Sequence, residues 1–170
     1  MPLDTCHEEH VVYLAAFEPA TFKVGVTRSW RLERRLGEQG AASGAKIRTV
    51  ENGQLARQIE ADLAAEIPDR VPVARKIEGL GADLDHSAWE SLLEDFEVDR
   101  RLQFEYGLDL ATQPIAATMA AGTIRGTRGR VLVLDRGQST YAVDLRDLVG
   151  HEVTAGGPAG QRQASLGAFE

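Results

Sequence analysis

The feature that most constrains the fold is an almost wholly apolar run near the N-terminus, HVVYLAAF at residues 10–17. An apolar run of this length without regular polar alternation is typical of a strand that is buried on both faces. The sequence therefore predicts a central strand here. Tyr13 within it is either a core ring or a polar handle at the edge of the sheet.

A second strand and a basic helix are predicted to follow. The strand has the sequence FKVGV, and a glycine inside a strand, here Gly25, marks a bulge or a close approach of another backbone or a ligand. In the helix, Leu32 and Leu36 have the i, i+4 spacing of one apolar face, and Gly40 is placed to end it. The other helix positions are mostly arginine, so its exposed surface is expected to be basic.

A third strand and a second helix are predicted between residues 46 and 67. The strand is KIRTV at 46–50, and the helix at 54–67 begins after Asn52, which is a good N-cap. Its apolar positions, at spacing i, i+4, i+8, are Leu55, Ile59 and Leu63. Glu60 lies beside that apolar stripe, at the rim where the helix meets its neighbour. A carboxylate there, facing basic groups, can hold one divalent cation.

The order of these segments resembles the GIY-YIG nuclease superfamily and, more closely, the DUF2797 family, a relative of that superfamily. The resemblance rests on HVVYLA, KVGVTR, RRLGEQGA and the pair Ile59-Glu60. It covers about residues 6 to 100, and a weaker similarity extends over residues 126 to 153. It implies an α+β fold with a small GIY-YIG-like three-stranded sheet flanked by helices.

The resemblance also implies a catalytic site. Tyr13 matches the final Tyr of the first family element, and Lys23 stands where the second element begins with Tyr. Arg35 matches the family's helix arginine, and Glu60 matches its metal-binding glutamate. The implied activity is hydrolysis of phosphodiester bonds in DNA or RNA with one Mg²⁺ or Mn²⁺ ion held by Glu60. Three further residues are candidates for contacting phosphate: His10, Arg28 and Arg34.

Each of these residues has a role in that chemistry and a structural alternative. Tyr13 would orient or deprotonate the attacking water, and because the pKa of tyrosine is ordinarily about 10, a cation such as Lys23 would be needed to favour the phenolate. The guanidinium of Arg35 would donate two hydrogen bonds to the phosphate oxygens. Alternatively Tyr13 is a buried ring, Lys23 protects an edge strand, and Arg35 pairs with Glu60. The function would then be a noncatalytic module that binds nucleic acid or a protein.

Charge favours a focused phosphate site over binding along the whole surface. The formal net charge is -7, which argues against broad coating by a polyanion. Between residues 23 and 48, however, basic side chains outnumber acidic ones. The basic residues there are Lys23, Arg28, Arg31, Arg34, Arg35, Lys46 and Arg48, and the acidic residues are Glu33 and Glu38.

The N-terminal residues and overall hydrophobicity predict a cytoplasmic protein. No apolar run approaches the roughly 18 residues of a membrane span, and the first residues do not resemble a signal peptide. Cys6 is the one cysteine, which fits a reducing compartment. A structural zinc site at Cys6, His7 and His10 is not expected, because such a site needs four ligands and there is no second cysteine.

The C-terminal third has a different pattern. Helices are predicted at residues 73–80 and 88–101, whereas from about residue 113 short β-branched segments alternate with glycine turns. That pattern predicts an antiparallel meander that closes into a small barrel or curled sheet. The predicted organisation is an α/β domain with trailing helices at 1–110, a β module at 111–154 and a flexible tail at 155–170. Arginines at its first turn (Arg125, Arg128 and Arg130) either contact phosphate or belong to an ordinary charged hairpin.

Overall fold

The computed structural model describes residues 7–156, which form two four-stranded sheets with helices packed on them. The strands are β1 (His10–Phe17), β2 (Thr21–Arg28), β3 (Ser43–Val50), β4 (Arg100–Gln103), β5 (Ile115–Ala117), β6 (Thr123–Arg128), β7 (Val131–Arg136) and β8 (Ser139–Asp144). The helices are α1 (Leu32–Gln39), α2 (Gly53–Leu63), α3 (Val73–Glu78) and α4 (His86–Leu93), with short 3-10 turns at Ser29–Arg31 and Leu145–Leu148. Cys6 and most of the predicted tail lie outside the described residues.

The first sheet is antiparallel, with the strand order β2-β1-β3-β4, so β1 has a partner on each side. Every residue of β1 is buried, as its apolar sequence predicts. Alternate side chains point to opposite faces of the strand. One set packs with α1 and consists of Val11, Tyr13, Ala15 and Phe17. The other set packs with α2 and α4 and consists of Val12, Leu14 and Ala16.

Helix α1 ends and helix α2 begins where the sequence predicts, but the length and the buried face of α2 differ from the prediction. Gly40 ends α1 with a positive φ of 74°, and the side chain of Asn52 accepts a hydrogen bond from the backbone N–H of Leu55 at the start of α2. Helix α2 is shorter than the predicted 54–67, and Leu55 is 44% exposed, so its predicted burial is wrong. Ala56 takes the buried position instead, whereas Ile59 and Leu63 of the predicted stripe are partly buried against the same core.

The predicted helix over 88–101 is also wrong in its second half. Helix α4 ends at Leu93, and residues 100–103 form strand β4 against residues 43–46 of β3. The backbone N–H of Asp99 donates to the carbonyl of Lys46 at 2.9 Å, and Leu102 is buried below α1. The edge of β3 offers backbone hydrogen bonds to this segment, so it pairs there rather than extending the helix. The sheet consequently has four strands and not three.

Of the two predicted forms of the second sheet, a small barrel or a curled sheet, the closed barrel is wrong. Its order is β5-β8-β7-β6, and the three-residue strand β5 runs parallel to β8. Strands β6, β7 and β8 do form the predicted meander. Because β5 is short and enters parallel to its neighbour, it does not continue the meander round to β6. Within residues 7–156 the sheet is therefore open, with β5 and β6 at its edges.

Helix α3 and one tight turn join the two sheets. Ile77 and Leu80 pack with Val131 and other residues of β7 and β8, although the sequence places α3 in the predicted N-terminal domain. The turn between β6 and β7 meets the C-terminal end of α1. Gly129 there has a φ of 56°, and a Cβ on it would lie 2.8 Å from the backbone nitrogen of Gly40. Only glycine fits this contact without displacing backbone.

The arginines at this turn are held by protein groups. Arg128 donates from Nε to the carbonyl of Gly40 at 2.9 Å and pairs with Glu18 at 2.6 Å. Arg130 makes a bidentate pair with Asp144, at 2.7 and 2.9 Å. A third arginine, Arg125, bonds the carbonyl of Asp109 at 2.6 Å. Because protein groups bind all three arginines, the cluster agrees with the alternative of an ordinary charged hairpin.

None of the helices in residues 7–156 has both the length and the apolar character that a membrane span requires.

Candidate functional site

Tyr13 lies at the centre of the predicted site, under α1, with 1% of its surface exposed. It faces Gly25 across the β1–β2 register. A Cβ on Gly25 would come within 2.6 Å of Cζ and Oη of the Tyr13 ring. The glycine inside β2 is therefore required by a neighbouring side chain, and it leaves the space that the ring occupies.

The hydroxyl of Tyr13 accepts a hydrogen bond from Nε2 of Gln39 at 2.8 Å. Burial raises the pKa of Tyr13 above its ordinary value, and this effect outweighs the hydrogen bond from Gln39 and the positive charge of Arg35, both of which lower it. Tyr13 is therefore the neutral phenol at neutral pH. In that form its hydroxyl can donate a hydrogen bond to a ligand, but Tyr13 is a weak base.

Lys23 lies beside Tyr13 on the same face of the sheet, because it pairs with Ala15 two residues along β1. It is half-buried. Burial lowers the pKa of Lys23, and Arg35 lowers it further, whereas Glu60 acts in the opposite direction. Lys23 is thus within electrostatic reach of both Arg35 and Glu60.

Arg35 and Glu60 reach this site from different helices. Arg35 is on α1, four residues before Gln39, and positions i and i+4 share a helix face; its side chain is 48% exposed. Glu60 on α2 is 13% exposed, and its Oε2 accepts a hydrogen bond from Arg57 at 3.0 Å. Among the described residues the carboxylate thus pairs with Arg57 and not with Arg35. The charges of Arg35 and Glu60 thus act on the pKa values of both Tyr13 and Lys23.

The three secondary candidates lie elsewhere. His10 is buried on the other face of β1, where its ring packs against Gly53 at the start of α2 and Nδ1 donates to the carbonyl of Glu8 at 2.7 Å. Arg28 pairs with Glu8 at 2.9 Å. Arg34 points outward on α1, where its side chain is 74% exposed and bonds Glu38 at 2.8 Å. In the part of the chain that the structure describes, none of these three is hydrogen-bonded to the group around Tyr13.

The structure adds a residue that the sequence does not single out. Lys76 on α3 donates from Nζ to the backbone carbonyl of Gln39 at 2.8 Å, and Nζ lies 4.7 Å from the centre of the Phe17 ring. Burial lowers the pKa of Lys76 to about 8, and the charge of Lys23 is the next largest cause. Nothing local marks this lysine, since it reaches the site only because α3 folds back over the end of α1.

The acidic groups bear on which metal could bind. Within residues 7–156 no three histidine, cysteine, aspartate or glutamate side chains gather into a metal-binding cluster. Glu60 is a single carboxylate, and one of its oxygens is engaged by Arg57. This donor set fits Mg²⁺ or Mn²⁺, because Mg²⁺ in particular is commonly held by one or two carboxylates and completes its shell with water and substrate phosphate.

Comparison with known proteins identifies the family of the chain. No match is found among curated proteins or among solved structures. A family model described as "Protein of unknown function (DUF2797)" matches residues 3–153, which include both sheets and the group around Tyr13. The chain therefore belongs to the DUF2797 family.

Proposed function

We propose that this protein hydrolyses phosphodiester bonds in nucleic acid, at a GIY-YIG-type site formed by Tyr13, Lys23, Arg35 and Glu60. The observation that carries the proposal is that Tyr13 and Lys23 lie side by side on one face of the sheet, where the charges of Arg35 and Glu60 act on both. Two cations, a phenol and a carboxylate are the groups that such a reaction needs to bind phosphate and to position water.

Each side chain has a role that follows from its surroundings. Arg35 is half-exposed, so its guanidinium can bind the nonbridging oxygens of the phosphate. Lys23 adds positive charge beside Tyr13 and offsets the charge that develops at phosphorus. Because Tyr13 stays protonated and its oxygen already accepts from Gln39, its role is to orient water by donating a hydrogen bond to it. Glu60 would hold Mg²⁺ or Mn²⁺, which when bound supplies positive charge at the phosphate and the leaving oxygen.

One observation favours a second function, a nucleic-acid-binding module without catalysis. Tyr13 is almost fully buried, and its pKa is raised. A phenol in that position serves the core of the sheet equally well. The basic residues Lys23 and Arg35 would then recognise phosphate without cleaving it.

Cleavage assays with matched variants test the proposal. Single-stranded, duplex, branched and structured DNA and RNA are incubated with Mg²⁺ or Mn²⁺ and the wild type, Glu60→Gln or Arg35→Ala. The controls are Asp62→Asn, an exposed acid on the same helix as Glu60, and Arg48→Ala, an exposed arginine on β3. Circular dichroism checks that each variant is folded.

The nuclease proposal expects metal-dependent cleavage that is lost in Glu60→Gln and Arg35→Ala and retained in both controls. Binding without cleavage, weakened by Arg35→Ala, would instead support the binding module. Cleavage that survives Glu60→Gln would contradict the placement of the site.

A further inference from the structure

Lys23 and Lys76 are two half-buried lysines whose charges have no acidic partner in direct contact among the described residues. Within residues 7–156, ion pairs up to 4.0 Å form at many other basic residues, but at neither of these two. Glu60 and Asp69 attract Lys23 from beyond that distance. Lys76 reaches a backbone carbonyl and an aromatic ring, both of which are uncharged. The two ammonium groups lie close enough to lower the pKa of Lys76.

Four carboxylates around this region are engaged by other cations. Glu18 pairs with Arg128, Asp144 with Arg130 and Glu60 with Arg57. On α1, Glu38 is shared by three arginines, which are Arg31, Arg34 and Arg35. Positive charge is therefore in excess where β2, α1 and α3 meet, although the whole chain has a net charge of -7.

An excess of half-buried positive charge is costly unless an anion balances it. Each lysine ammonium has three N–H donors, and the bond from Lys76 to the carbonyl of Gln39 uses one of them. The remaining donors of Lys76, and those of Lys23, make no hydrogen bond within residues 7–156, and the oxygens of a phosphate would satisfy them. A phosphate bound there would gain charge-assisted hydrogen bonds and relieve the repulsion between the two lysines.

The contact of Lys76 with Phe17 is displaced from Tyr13 along the sheet. Lys76 lies over Phe17, whereas Gln39 bonds Tyr13 four residues away on the same face of β1. At about 3.3 Å per residue, these two positions are separated by roughly 13 Å along the strand. This spacing is between the backbone positions of Tyr13 and Phe17, and Lys23, opposite Ala15, lies between them. Successive phosphates of a nucleic-acid strand that runs along this face can contact both ends.

We propose that Lys76, together with Lys23, forms a second phosphate subsite, which binds a backbone phosphate of the same strand that Arg35 contacts. This inference rests on the proposed function and specifies its substrate: an oligonucleotide strand that occupies both subsites. A mononucleotide or a phosphate monoester fills one of them only. The order of the groups along the sheet, with Tyr13 at one end, Lys23 between and Lys76 over Phe17 at the other, gives the strand its path.

The test is binding without cleavage, in the presence of EDTA. The anisotropy of a fluorescein-labelled single-stranded oligonucleotide, in DNA and RNA forms, is measured against wild type, Lys76→Met, Lys76→Arg and the control Arg75→Met. Arg75 is the preceding residue on α3, is exposed and pairs with Glu78 at 3.3 Å. We expect Lys76→Met to weaken binding about tenfold, the loss typical of one charge-assisted contact. The slope of log affinity against log salt should fall by about 0.7, the value for one phosphate on a single strand.

Equal binding by Lys76→Met and Arg75→Met would overturn the subsite. So would a lower melting temperature in Lys76→Met with unchanged affinity, since Lys76 would then serve only to hold α3 on α1. Lys76→Arg should keep most of the affinity because it keeps the charge. Inorganic phosphate should compete far less well than unlabelled oligonucleotide, and equal competition would refute the strand-length requirement. If wild type never cleaves but binding still depends on Lys76, the cleavage proposal fails and the subsite stands.

Discussion

Gly25→Ala tests whether the ring of Tyr13 is the reason for a glycine in β2. The new Cβ would lie 2.6 Å from Cζ and Oη of Tyr13 and 3.1 Å from Cε1. Ordinary contacts between such atoms are about 3.5–4.0 Å, so the ring must move by about 1 Å. Gly25 does not have a positive φ, and backbone strain therefore adds nothing to the cost.

The ring has little room to move. It is covered by α1, and its hydroxyl is fixed by Gln39 at 2.8 Å. Forcing one extra carbon into a well-packed core costs about 1–3 kcal/mol, and we expect Gly25→Ala to lower the free energy of unfolding by this amount. Equilibrium denaturation in urea measures it, with the slope against urea checked for constancy between variants.

A double-mutant cycle identifies the ring as the cause. Tyr13→Leu removes Cζ and Oη, so Gly25→Ala introduced in that background should cost less by about 1 kcal/mol or more. A cost that is the same in both backgrounds would refute the reasoning, because the clash would then be with some other group. A cost below about 0.5 kcal/mol in the wild type would show that the ring adjusts freely.

Three further predictions concern the same region. Gln39→Leu should raise the pKa of Tyr13 further, because the hydrogen bond from Gln39 lowers it; NMR titration of isotope-labelled tyrosine measures the change, and no change would exclude that bond in solution. The pKa of Lys76 is about 8 when folded and about 10.4 when unfolded, so the unfolded state binds more protons between these values. The free energy of unfolding should therefore rise with pH across that window, by about 1–2 kcal/mol more in wild type than in Lys76→Met once screening by water is allowed for. The free energy is measured by urea denaturation at several pH values, and the same pH dependence in both proteins would contradict the prediction. Gly129→Ala should destabilise the protein by about 1–3 kcal/mol more than Gly137→Ala, since both have positive φ but only Gly129 touches backbone; equal losses in denaturation would rule out the contact.

Local signals in the sequence predict those parts of the fold that local physics decides. The apolar run around Tyr13 predicts its burial, Asn52 predicts the start of α2, and Gly40 predicts the end of α1. Each of these depends on a few consecutive residues. The resemblance to DUF2797 adds what no local pattern contains, the expectation that Tyr13 and Glu60 belong to one group.

Long-range pairing decides the rest. The segment RRLQ of β4 has one buried side chain, Leu102, and becomes a strand only because β3 has a free edge. Strand β5 is three residues long, and its parallel direction depends on β8, more than twenty residues later in the chain. The sequence does not single out Lys76 for the same reason, because its neighbours Gln39 and Phe17 are distant along the chain.

The packing of α3 also has a consequence for synthesis on the ribosome. The first sheet is complete once Gln103 has emerged, but Ile77 and Leu80 pack against Val131 and the rest of a sheet that is translated later. These two apolar side chains are thus uncovered while the intervening chain is made. We expect the first sheet to form early, with α3 docking only after β7 and β8 arrive. Until then, Ile77 on α3 and Leu80 just beyond its end are apolar side chains that lack their partners from the second sheet.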